Sequence, residues 1–231
     1  MPITHTVELI AALTGVLLFR KYRQGNAKYF IYFLIYLTFF DFVCRYTSLV
    51  TEDGPLNFLI GTRFEKNHWL STLFWKIGAI MFFSFYFSKI LKNKRFKGIV
   101  KYAGYIFLLF SLIYIGLNWE VFFYKFFPVL GVLGAIVIFL CAVFYFIELL
   151  QSERILTFYK SLNFYISAAI FIWWLIITPI VFYDVYFTYE IGNSNRDWDF
   201  IFLRWQIYMF ANIIMYSTFT FALIWCKPEN D

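Results

Sequence analysis

The sequence predicts an all-α integral membrane protein, a bundle of seven transmembrane helices with its N-terminus outside and its C-terminus inside. Three observations predict it. First, the chain of 231 residues is 62% hydrophobic and only 15% charged, where soluble domains carry about 25% charged residues. Second, the apolar residues fall into seven long runs, and a helix needs about 20 residues to cross a bilayer. Third, the basic residues gather beside alternate ends of those runs, as topology signals do. Seven spans with short loops use nearly the whole length. Residues 1–231 are therefore read as one transmembrane domain without a soluble one.

The spans follow in order. Span one covers Ile3 to Phe19 and ends at Arg20-Lys21-Tyr22-Arg23; span two covers Tyr29 to Val50. Gly54-Pro55 breaks the next segment, in which Leu56 to Ile60 is too short to cross and suits the interface. Span three runs from Leu70 to Leu91 and meets the basic loop Lys92 to Lys97. Span four runs from Tyr102 to Leu117, and a tight turn at Asn118-Trp119-Glu120 leads to span five, Phe127 to Leu150. Gln151 to Lys160 is a polar link. Span six covers Leu162 to Tyr183, with Thr178-Pro179 expected to bend it. Gly192 to Asn195 signals a turn, and span seven covers Ile201 to Cys226.

With the N-terminus outside, and with Lys89 and Arg204 counted at the span ends they sit near, thirteen of the twenty Lys and Arg residues fall on the inner side and five on the outer; Arg45 and Lys76 lie deeper within spans. No basic stretch precedes span one, while Arg20, Lys21 and Arg23 follow it. Both facts favour N-out and C-in. The net charge of +6 is thus a topology signal, and no nucleic-acid partner is expected. The expected partners are the lipid bilayer and a cytoplasmic or membrane protein at the basic inner loops. The expected location is the plasma (inner) membrane.

Charges at membrane depth are costly and face protein or water, which makes them candidates for function. Thr38, Asp41, Arg45 and Ser48 recur at i, i+3, i+7 and i+10 and share one helical face. Lys76 sits at a depth like that of Arg45, so Asp41 is expected to pair with Arg45 or Lys76. Two cations against one acid leave a positive excess, which Glu8 can cancel. On span seven Arg204, Tyr208, Asn212, Tyr216 and Thr220 form a second stripe, and the amide of Asn212 needs a partner. Asp41, Arg45, Lys76, Asn212, Thr178 and Glu8 are therefore the candidate ligand-binding or ion-pair residues. They are expected to line one outward-opening pocket between spans two, three, six and seven.

His5 and Glu8 stand at i and i+3, with His68, Glu65, Asp184 and Glu190 on the same side. That spacing is not diagnostic of metal binding, and solvated rim groups are the simpler reading. No metal and no cofactor is expected. Cys44, Cys141 and Cys226 show no CxxC spacing and read as small apolar side chains. No HExxH, GxSxG, P-loop or GxGxxG occurs, and no nucleophile stands beside a local base, so the reading leans away from an enzyme. Span seven lacks the lysine that a retinal protein needs. What remains is a receptor-like binding, sensing or accessory subunit, with a small-solute or ion transporter or channel as the alternative.

The topology is testable by cysteine labelling. Positions in Asn193 to Asp197 should react from outside, and Lys94 to Lys97 should be protected. The reverse pattern contradicts the seven-span reading.

Overall fold

The computed structural model describes residues 2–186 and 198–228. Its long elements are helices. We number them α1 (Pro2–Leu17), α2 (Ala27–Cys44), α3 (His68–Ile90), α4 (Lys94–Leu117), α5 (Pro128–Leu150), α6 (Leu162–Tyr186) and α7 (Trp198–Trp225). No strand occurs among the described residues; an isolated bridge joins Ser161 and Lys227. The turn expected at Gly192 to Asn195, and the labelling positions Asn193 to Asp197, lie outside the described residues.

Six of these helices, α2 to α7, are long and apolar enough to cross a membrane. Helix α1 is shorter. Its 16 residues rise about 24 Å at 1.5 Å per residue. Leu18 interrupts the helix, and one further turn, Phe19–Tyr22, extends it. That addition brings the reach to roughly the 30 Å of a hydrocarbon core. Several boundaries follow from local chemistry. Helix α4 begins at Lys94, well before the expected Tyr102, because Asn93 caps it by accepting from Arg95 N at 2.9 Å. Helix α5 begins on Pro128, which suits a first helical position because it lacks an N–H. Helix α2 tightens into a 3-10 turn over Arg45–Leu49, and Ser71–Gly78 of α3 has π-helical winding. The segment Leu56 to Ile60 is a loop with one 3-10 turn, Asn57–Leu59, and Phe58 is exposed.

Pairs of contacting residues show how the helices run. Gly15 meets Ile31 and His5 meets Asp41, so α1 and α2 are antiparallel. Phe33 stacks on Phe82 and Phe40 on Phe74, at 3.9 and 3.8 Å between ring centroids, so α2 and α3 are antiparallel. Trp173 meets Asn212 and Tyr165 meets Phe221, which makes α6 and α7 antiparallel. Helix α1 instead runs parallel to α7: Glu8 lies beside Tyr216, and the Tyr22 hydroxyl sits 2.9 Å from the Leu223 and Cys226 carbonyls. Helices α2, α1, α7, α6, α5 and α3 form a ring, and α4 packs outside it on α3 and α5. The Pro2 and Lys227 ends of the chain therefore lie at opposite ends of the bundle.

The burial pattern is that of a lipid-facing bundle. On α1 the buried positions are Thr4, Glu8, Ala11, Ala12 and Gly15, one helical stripe. Its other face exposes Leu9, Ile10, Leu13, Val16 and Leu17. Helix α4 repeats this, burying Val100, Gly104, Phe107, Ser111 and Ile115 while Tyr105, Ile106, Leu109, Leu112 and Ile113 point out. Water does not favour apolar faces of this extent, whereas lipid does. The protein is thus a multi-pass helical membrane protein. Close approach depends on small residues. A Cβ at Gly104 would collide with Ser84, whose hydroxyl donates to Val100 O at 2.9 Å.

Gly104→Val should force α4 from α3 and cost about 1–3 kcal/mol, as overpacked cores do. Thermal unfolding in detergent measures the effect, and an unchanged midpoint contradicts the packing described.

Candidate functional site

Three helices bring titratable and polar groups together at the end of the bundle that carries Pro2. Helix α1 presents His5 and Glu8 one turn apart. Helix α2 presents Asp41 three residues before its last α-helical residue. Helix α7 presents Tyr216. His5 Nδ1 contacts Asp41 Oδ2, with the two side chains 29% and 23% exposed. Glu8 is only 4% exposed, and its Oε1 has no hydrogen-bond partner. The Tyr216 hydroxyl, on a side chain 1% exposed, lies beside Glu8, near enough to interact with its carboxylate but without well-formed hydrogen-bond geometry. One ligand atom from each of His5, Glu8 and Asp41 fits in a group with all separations within 4.8 Å. Imidazole nitrogen and carboxylate oxygen are both donors that metal ions accept.

A cavity of about 480 Å³ opens beside this cluster, lined by His5, Asp41, Cys44, Arg45, Thr47, Ser48 and Asn67. The 3-10 turn after Cys44 shapes its wall, and the loop that follows is tied down over it. Asn67 Nδ2 donates to Cys44 O at 2.9 Å. The Tyr46 hydroxyl sits 2.7 Å from Phe64 O and 2.9 Å from Lys66 O. Farther along that loop, Gly61 takes a φ of +75°, and its N–H donates to Glu65 at 2.9 Å. That bond, with Lys66 beside it, holds the Glu65 carboxyl below the usual carboxylate range.

The candidate residues separate into two groups. Asp41, Arg45 and Ser48 line the cavity, with Glu8 behind it. Thr38 does not join them; its hydroxyl donates to Leu34 O within its own helix. The expected pairing of Asp41 with Arg45 or Lys76 is corrected: His5 holds the carboxylate. The reason lies in neighbouring positions on α2. Phe40 faces α3 through Phe74, so Asp41, about 100° further around, faces α1. Lys76 instead lies over the Phe126 ring, 5.0 Å from its centroid.

Asn212 and Thr178 belong elsewhere. Asn212 accepts from Trp173 Nε1 at 2.7 Å and joins α7 to α6. Thr178 donates to Trp174 O at 2.6 Å within α6, beside Pro179. Among the described residues, Asn212 and Thr178 do not join the cavity beside Asp41, which lies between the start of α1, the end of α2 and the loop before α3. Of the other rim residues, His68 packs its ring edge-on against Phe126, with centroids 4.3 Å apart. Glu190 and the side chain of Asp184 lie outside the described residues. Two members of the site were missed as such in the sequence, His5 and Tyr216. His5 carried a signal, its i, i+3 spacing to Glu8; Tyr216 carried none beyond its stripe, because nothing in one sequence says that α7 lies beside α1. No family model, curated protein or solved structure matches the chain.

A double-mutant cycle on His5 and Asp41 tests their coupling. Removing one partner of a fully buried pair costs about 3–5 kcal/mol. This pair is partly exposed, so each single alanine change should cost less, about 1–3 kcal/mol, and the double change less than the sum of the two. Additive effects on unfolding contradict the pairing.

Proposed function

We propose that this chain is a seven-helix membrane protein that captures a small polar solute in a pocket open to the outside, as a binding, sensing or accessory subunit. The observation that carries the reading is the cavity beside His5 and Asp41. In a chain this apolar, a wall built from Asp41, Arg45, Thr47, Ser48 and Asn67 is matched to a ligand with both charge and hydrogen-bonding groups, for which such convergent polar groups provide orientation.

In this reading the turn Phe19–Tyr22 completes α1 as the seventh span. The N-terminus is outside, the C-terminus inside, and the membrane is the plasma (inner) membrane. The parallel course of α1 and α7 supports an odd number of crossings, and the thirteen-to-five basic asymmetry supports the orientation. The pocket is closed below. Phe30 packs edge-on against Phe219 at 4.9 Å, and Phe33 meets Phe82 and Phe83 at 3.9 and 5.1 Å. On α2, Phe33 and Phe30 lie about 12 and 16 Å deeper than Asp41 at 1.5 Å per residue. A sealed floor supports binding over transport, since a transporter needs a polar path onward. Occupancy is passed on through a protein partner docked at the basic end, around Lys92 to Lys97.

The native cysteines test the pocket. Cys44 lines it and is partly exposed, whereas Cys141 and Cys226 are fully buried. A charged, membrane-impermeant thiol reagent added to intact cells should modify Cys44 and spare the other two. Modification only in inverted vesicles contradicts the orientation, and modification in neither leaves a closed polar core without a pocket. Solute flux through reconstituted protein, blocked by the same reagent, would replace binding with transport.

A further inference from the structure

The proposed pocket accounts for His5 and Asp41 as part of a wall, but not for Glu8. Its carboxylate is nine-tenths buried, Oε1 has no hydrogen-bond partner and no ion pair reaches it among the described residues. A buried carboxylate without compensation is among the costliest groups in a protein. Its position shows what could compensate it. Ligand atoms of His5 and Asp41 lie within 4.8 Å of its own. Ligands of a tetrahedral zinc ion, at about 2.0–2.1 Å from the metal, lie roughly 3.4 Å from one another. Side-chain rotations of about an ångström therefore close the group around an ion. We propose that His5, Glu8 and Asp41 bind a divalent first-row transition-metal ion, with zinc the ion their donor set fits best.

The chemistry agrees on three counts. One imidazole and two carboxylates form a mixed nitrogen and oxygen set of the kind zinc accepts. With His5 neutral, the two carboxylates supply a charge of −2 that a divalent ion neutralises. His5 and Asp41 also face the cavity, so the ion has an entry path and its fourth position is open to water or solute. Arg45, at the same cavity, stays at the mouth; its side chain is exposed. The Tyr216 hydroxyl, buried beside Glu8, is placed to donate to the carboxylate oxygen that the ion does not use, an outer-shell contact that orients a ligand. The ion would satisfy both orphan groups of the site at once.

The test uses the full chain, purified in detergent with a tag free of histidine, stripped with a chelator and titrated with cobalt(II) and zinc(II). One equivalent should bind, with the visible spectrum of a four-coordinate cobalt site. Binding should be lost in Glu8→Gln and in His5→Gln, and weakened about ten-fold in Tyr216→Phe. Zinc should raise the melting midpoint of the unaltered protein and not that of Glu8→Gln. If Glu8→Gln does not fold, Asp41→Asn is read in the same way. Absence of a saturable equivalent overturns the inference, as does unweakened binding in Glu8→Gln and His5→Gln. A stabilising Glu8→Gln change in a protein that binds no metal also overturns it, because Glu8 then carries a proton. The inference uses the proposed pocket as its route, and Cys44 labelling of the stripped protein reports on that pocket separately.

Discussion

A helix clothed in leucine, isoleucine and phenylalanine has only lipid on its outer side, so each polar group it carries must find a partner within the bundle. This constraint organises the molecule. Helix α7 hands its last carbonyls to Lys21 and Tyr22, whose donors reach Leu223 O, Ile224 O and Cys226 O at 2.9–3.2 Å. The Tyr22 side chain is fully buried against these carbonyls. Glu148 accepts the N–H groups of Lys92 and Asn93 at 2.8 and 2.7 Å and so caps the turn between α3 and α4. The Tyr86 hydroxyl donates to Asn163 at 2.5 Å, and Trp173 donates to Asn212. Each contact joins elements that apolar packing alone would leave free to slide.

Set against that pattern, the end of the bundle that carries Pro2 is unusual. There Glu8 and Tyr216 are buried side by side with polar atoms unsatisfied, and a cavity opens next to them. The two groups lack the close, well-aligned bond of a purely structural contact. Asn212, which the sequence also marked, did close, with Trp173, and so acts as glue between helices. The difference between these two polar positions separates a scaffold contact from a candidate site.

The membrane fold was legible because its signal is long. Runs of about 20 apolar residues can hardly be anything else, and six of them stand in the structure as helices of spanning length. The first run was harder to read: a break at Leu18 divides it, and its 16-residue helix falls short of the others. Helix ends were legible where apolar character stops and not where a cap decides, as Asn93 does for α4. The site was half legible. Asp41, Arg45 and Glu8 stood out as charges at membrane depth, but their partners depend on which helices touch. A neighbouring span in sequence, α3, was the natural guess for covering Asp41, whereas α1 covers it and α7 completes the site. Helix order around a ring is a tertiary fact that periodicity along one chain does not contain.

Helices α1, α2 and α7 converge on His5, Glu8 and Asp41, where the proposed ion sits. X-ray diffraction from crystals grown with zinc, recorded on both sides of the zinc absorption edge, addresses this placement most directly. An anomalous-difference peak is expected among these three side chains, with the Tyr216 hydroxyl bonded to Glu8. A map without a peak there, with the Glu8 carboxyl closed on Tyr216 alone, contradicts that placement.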